Sequence, residues 1–165
     1  SEAHNAQFFT RADNLGHYLL EVEKRLGDLA QRLAASVGEK RSDTTLAGDP
    51  LAQQSTPTRE LVRVRSPRLE VDNVFYEARG YTWALLHMLQ AIAIDFEPVL
   101  QDKNARISMQ QIIRELEQAQ GRMWSPMVLN GTGLGPLANH SLVMASYVSR
   151  ANAALIDLRT LLERG

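Results

Sequence analysis

Apolar residues recur along this chain at helical spacing in four places, and two irregular stretches rich in proline or glycine separate them. Phe8, Ala12, Leu15, Leu19, Val22, Leu26, Leu29 and Leu33 alternate steps of four and three. That heptad seam predicts a first helix over about 6–37, closed by Gly38. The stretch 81–94, YTWALLHMLQAIAI, has only Thr82, His87 and Gln90 as polar side chains. A helix apolar nearly all round needs neighbours on several sides. It is too short to cross a bilayer, which takes about 20 apolar residues. It therefore reads as the central helix, starting near Asp72 as N-cap, with Val71 and Tyr76 as a hydrophobic staple and Pro98 in its last turn. Its two apolar stripes, one through Leu85 and one through Trp83 and Leu86, imply helices on two sides. Gly80, costly inside a helix, implies a neighbour packed close against it.

A short third helix is expected over about 109–120. Ser108 and Gln111 would form its capping box, Ile107 and Ile112 its staple, and Gly121 its stop. The last helix is expected over about 137–163. Its seam is Leu137, Ser141, Met144, Val148, Ala151, Leu155, Leu158 and Leu162. Beside it Ser141, Ala145, Ser149 and Ala153 form a row of small residues, a groove for the central helix. The fold class is then all-α. The expected architecture is a four-helix bundle, mainly antiparallel, with a long irregular crossover between helices 1 and 2.

That crossover, 39–71, carries Pro50, Pro57 and Pro67, and is long for a compact domain. It reads as a strap, with a short extended segment around Val62 and Val64. Arg59, Arg63, Arg65 and Arg68 make it locally basic, but no aromatic side chains interleave for base stacking, so it reads as a solvated face. The second irregular stretch, 121–139, holds Met123, Trp124, Met127, Val128, Leu129 and Leu134. Such content predicts a loop packed over the bundle.

The 165 residues fit a single domain. With a net charge of −1, no global field draws the chain to nucleic acid. There is no cysteine, which excludes disulfides, zinc thiolates and thiol nucleophiles. No catalytic residue, metal site or cofactor is expected. Neither Glu-x-x-His nor His-x-x-x-His occurs, so a di-metal bundle site is not indicated. His17 near Asp13 and Glu21 reads as a solvated helix face. Gly131, Gly133 and Gly135 precede a helix, as in anion-binding turns, but lack the Lys-Ser/Thr of a phosphate loop. His87, inside the apolar helix, is the one histidine placed for a buried role. Asn139, His140 and Ser141 include nucleophile and base types, but adjacent residues on a helix point in different directions.

The stretches FYEARGYTWALLHMLQAIAIDF, IIRELEQAQ, WSPMVLNGTGLG and LANHSLVMASYVSRANAALIDLRTLL resemble the C-terminal half of a bacterial family known as domain of unknown function 2333. Members of that family begin with a basic segment and one membrane-spanning helix. The resemblance implies a fragment of a Gram-negative inner-membrane protein with this domain in the periplasm. It implies membrane contact only through a segment absent from this chain, and supplies no catalytic residue. Two functions remain open. One is a non-enzymatic, membrane-tethered envelope module that binds an unidentified protein partner through Trp124, Met127 and Leu129, or self-associates through its heptad seams. The other is a small-ligand binder or enzyme with a pocket between the 81–94 helix and the 121–139 loop, lined by Trp83, His87, Asn139 and His140.

Overall fold

The computed structural model describes residues 10–35, 39–41, 62–64, 70–125, 127–129, 131 and 138–164. Among them the chain is all-helical apart from one short ribbon. The helices are α1 (Ala12–Ala34), α2 (Val71–Asp95), α3 (Glu97–Asp102), α4 (Arg106–Ala119) and α5 (His140–Glu163). In the ribbon, β1 (Glu39–Arg41) pairs antiparallel with β2 (Val62–Val64), with Lys40 opposite Arg63. The expected extended segment at Val62 and Val64 is thus part of a strand pair. Residues 42–61 and 65–69 of the strap, including Arg59, Arg65, Arg68 and its prolines, lie outside the described residues.

The two heptad seams form the core. Leu15, Leu19, Val22, Leu26, Leu29 and Leu33 are all buried on α1. Ser141, Met144, Val148, Ala151, Leu155, Leu158 and Leu162 are all buried on α5. α5 packs chiefly on α1 and α4, and α2 leans on α4, with smaller contacts to α1 and α5. The expected groove for α2 on α5 is therefore absent: Ser149 and Ala153 face solvent, while Ala151 and Ala154 are buried. Along the helices, Tyr18 meets Met88 while Arg32 meets Glu77, so α1 and α2 run in opposite senses. Gln120 meets Thr82 while Glu117 meets Gln90, and α2 and α4 do likewise.

Several helix starts differ from the sequence expectation. α1 begins at Ala12 rather than near residue 6, since Arg11 is extended (φ −126°). The Arg11 guanidinium grips Asp13 at 2.7 Å, placing a carboxylate in the first turn, where the helix dipole favours it. Phe8 and the expected end at Val37 and Gly38 lie outside the described residues. α5 starts at His140, not Leu137, because the Asn139 side chain accepts the Leu142 N–H at 2.8 Å and is its cap. α4 starts at Arg106. Asn104 takes a left-handed φ of 52°, which its short polar side chain tolerates, and ends the preceding turn. Ser108 then falls inside the first turn and Ile107 is exposed, so neither the capping box nor the staple forms.

α2 departs most from expectation. It begins at Val71, with Asp72 in its first turn, and the buried pair there is Val71 with Phe75, not Tyr76. Pro98 does interrupt the chain: α2 stops at Asp95, and Pro98 sits in the first turn of α3, where a missing N–H costs nothing. The helix buries one face only: Val71, Phe75, Ala78, Thr82, Leu85, Leu86 and Leu89. It is not the central helix. Among the described residues, no helix is long and apolar enough to cross a membrane.

Ion pairs tie the helix faces outside the core. Arg159 of α5 pairs with Glu23 of α1. Glu77 of α2 accepts from Arg32 at 2.5 Å and from Arg25 at 2.8 Å. Hydrogen bonding to Arg32, reinforced by both guanidinium charges, holds the Glu77 carboxyl below the usual carboxylate range. A carboxylate with a depressed folded-state pKa stabilises the fold above its ordinary value, near 4.3, and loses that effect as pH falls through the folded value. Glu77→Gln is expected to lower stability at pH 7 by no more than about 1 kcal/mol, since the site is half-exposed. The gap in melting temperature from the parent should close as pH falls below about 4. Thermal unfolding followed by circular dichroism at pH 7, 5 and 3 checks both points, and a gap independent of pH would refute the ion-pair account.

Candidate functional site: an apolar cleft and an uncharged helix face

Where α2, α4 and α5 meet, the helices leave a cleft of about 450 Å³. Its position follows from a polar clasp between α2 and the end of α4. Thr82, fully buried, donates its hydroxyl to the Ala78 carbonyl at 2.8 Å, the standard retreat for a hydroxyl inside a helix. Its oxygen accepts from the Gln120 amide at 2.8 Å. Arg79 then donates to the carbonyl oxygens of Gln120 and Gly121, at 3.0 and 3.1 Å. The carbonyl of Gln120, the C-cap of α4, is one that a helix C-terminus leaves without an intrahelical partner, and a cation there matches the dipole. The chain turns at Gly121 and runs along the cleft through Arg122, Met123, Trp124 and Ser125.

The opposite wall is the first two turns of α5, carrying His140, Val143, Met144 and Tyr147. Here Asn139 and His140 fasten the loop to the helix. The Asn139 amide donates to the Gly131 carbonyl at 2.6 Å. His140 donates its backbone N–H to the Leu129 carbonyl at 2.9 Å, and its Nδ1 accepts the Leu129 N–H at 2.9 Å. That bond fixes the neutral ring as the Nε2–H tautomer. The His140 ring also lies 6.4 Å from Phe75, centroid to centroid.

The expected pocket residues thus separate. His140 and Trp124 line the cleft. Asn139 is buried as a cap, and Leu129 is half-buried in the clasp with His140. Met127 is exposed, and Trp124 is 83% exposed at the rim with the Arg122 guanidinium 4.4 Å from its ring centroid. Among the described loop residues Met123 and Val128 pack against the core, and Leu134 lies outside the described residues. Trp83 and His87 do not line the cleft. They stack edge to face at 4.6 Å, on the solvent side of α2.

That solvent side is the second feature. From Tyr76 to Ile94 the exposed residues of α2 are Tyr76, Gly80, Trp83, Ala84, His87, Met88, Ala91 and Ile94. None is an acid, a lysine or an arginine. At about 100° per residue they span an arc of roughly 140°, opposite the buried seam, and the one charged side chain within that arc is the half-buried Glu77 near its edge, whose charge is paired with Arg25 and Arg32. Trp83 is 57% exposed and Ile94 77%. Nothing lies within 4 Å of a Cβ built on Gly80, contrary to the expected close neighbour.

Comparison with known families follows from this chain as a whole. The model of a family described as an uncharacterized protein conserved in bacteria, domain of unknown function 2333, matches residues 1–165. The chain belongs to that family. No curated protein and no solved structure matches it.

In this member of domain of unknown function 2333, sequence reasoning missed Phe75, Arg79, Arg122 and Tyr147 as cleft residues. The one usable signal was local: an arginine two positions from a tryptophan, just past a helix-ending glycine. Among the described residues, no group of three or more His, Cys, Asp or Glu side chains is placed to hold a metal ion. The clasp and the rim should respond oppositely to mutation. Thr82→Val leaves the Gln120 amide without its buried acceptor and is expected to cost about 1–3 kcal/mol. Trp124→Ala removes an exposed ring and should stay within about 0.5 kcal/mol of the parent. Urea unfolding of the two variants checks this, and a large loss for Trp124→Ala would make it a core residue.

Proposed function

We propose that this chain is a non-enzymatic protein-interaction module of the bacterial cell envelope. On this reading its long helices make a mainly antiparallel four-helix bundle, with a long crossover between the first two long helices. A segment outside this chain tethers it to the inner membrane, and the bundle faces the periplasm. The tether and the compartment rest on the sequence resemblance alone. The interaction reading rests on one observation, the uncharged exposed face of α2 from Tyr76 to Ile94.

The physical argument is one of cost. Solvent-facing helix surfaces normally carry charge, and contiguous apolar patches on soluble proteins mark contact sites. Aromatic side chains supply most of the binding energy in such sites, and Trp83 and Tyr76 stand on this face. Gly80 costs the helix about 1 kcal/mol relative to alanine, and no part of the described chain packs against it. A partner backbone approaching there would offset that cost. The partner's matching surface is itself uncharged, because a charge brought onto this face would be desolvated without a counter-ion. A membrane surface fits less well. Asp72 and Asp95 bracket the face, whereas interfacial helices carry lysine and arginine beside the apolar face.

The test is a photo-reactive residue in place of Met88 in the full-length protein, irradiated in its own cells, with mass spectrometry of the adducts. One reproducible adduct to a second protein is expected, and Ala84→Glu should abolish it while leaving the melting temperature of the chain unchanged. Gly80→Ala should raise the melting temperature by about 2–4 °C and weaken the same adduct. Adducts only between copies of this chain, or an adduct indifferent to both substitutions, would overturn the reading.

A further inference from the structure

The cleft lies on a different flank of α2 from the uncharged face, and it carries a separate inference. We propose that it binds a single-chain amphiphile with an anionic head, the hydrocarbon chain inside and the head at the Arg122 rim.

Size and lining come first. About 450 Å³ is within the range of small-molecule sites. The apolar walls are Phe75, Ala119, Met123 and Met144, with the more exposed Val143 beside them, and their side chains offer a hydrocarbon chain apolar contact and no hydrogen bond. Charge decides the head. Two arginines and a histidine line the cleft, and among the described lining residues none is acidic. The chain as a whole has 19 acidic against 18 basic residues, so this wall is locally biased. Arg79 already serves the carbonyls at the end of α4. Among the described residues no carboxylate pairs with Arg122, whose guanidinium rests on the Trp124 ring. An arginine so placed presents its remaining donors in a fork suited to carboxylate or phosphate oxygens.

An apolar peptide is the competing occupant, and the walls disfavour it. Apart from the 121–125 segment they are built from helices whose backbone groups bond internally, and no strand edge lines the cleft among the described residues. A peptide would bring its own N–H and C=O groups into an apolar space without partners. A hydrocarbon chain brings none. Trp124, at the rim and largely exposed, is placed to cover the chain's outer end.

The test uses the 165-residue chain with Trp83→Phe, which makes Trp124 the only tryptophan. Laurate, monododecyl phosphate and dodecyltrimethylammonium are titrated below their micelle concentrations, with Trp124 fluorescence and calorimetry read in parallel. A saturable 1:1 blue shift or heat with one or both anions is expected, and whichever binds tighter names the head group. The ammonium amphiphile should bind at least about tenfold more weakly, and Arg122→Gln should weaken the anions by about tenfold. Val143→Phe, which fills the cleft from a solvent-facing position, should abolish binding in a chain that still melts cooperatively. Equal binding of the cationic amphiphile, no saturable signal with either anion, or tighter binding of an apolar peptide with a free carboxy-terminus would each overturn the proposal. None of these outcomes bears on the Met88 adduct, so the two readings fail separately.

Discussion

The buried seam of α5 is the constraint on which the other elements depend. Met144, Val148, Ala151, Leu155, Leu158 and Leu162 lie in one continuous apolar line, with α1 against one side and α4 against the other. Burial of such side chains is the dominant favourable term in folding, about 1.5–3 kcal/mol for each large one. α2 reaches the assembly mainly through α4, and it needs a polar clasp of Thr82, Arg79 and Gln120 to hold the register there. The cleft exists because that arrangement leaves one corner open: α4 ends at Ala119, and the chain turns away before α5 begins.

The seams were legible because a heptad repeat specifies both an element and its buried face. Every expected seam position of α1 from Leu15 to Leu33 is buried, and so is every one of α5 from Ser141 to Leu162. Helix starts were less legible, since a cap is a local competition. Asn139 won the start of α5 by its own hydrogen bond, and Ser108 lost the start of α4 to a left-handed turn at Asn104. The burial of α2 was misread for a deeper reason. Hydrophobicity states what a residue gains if covered and not what covers it, so Trp83 and Met88 read as parts of buried stripes although this chain leaves them in solvent.

The site was legible in part and for the wrong reasons. Asn139 and His140 drew notice as polar groups at a helix start, and they turn out to fasten Gly131 and Leu129 to α5. Only His140 also faces the cleft. Arg79 carried no signal because its neighbours are 41 and 42 residues away in sequence. A cleft assembled from three helices is a property of packing, and periodicity within one helix does not encode it.

α2 therefore presents three surfaces with three different chemistries. One is leucine-rich and buried, one carries Phe75 and Arg79 into the cleft, and one is apolar, uncharged and open. Gly80 lies on the open surface immediately after Arg79, midway between Tyr76 and Ala84. Were α2 only a scaffold for the cleft, alanine at this position would serve it better, because nothing inside the chain needs the space. Nor would the open surface have reason to carry no charge beyond the ion-paired Glu77 across five turns, since lysine or glutamate there would favour solubility. Both features act against the isolated chain. The partner proposed above would account for both at once, as a second uncharged backbone that comes close at Gly80.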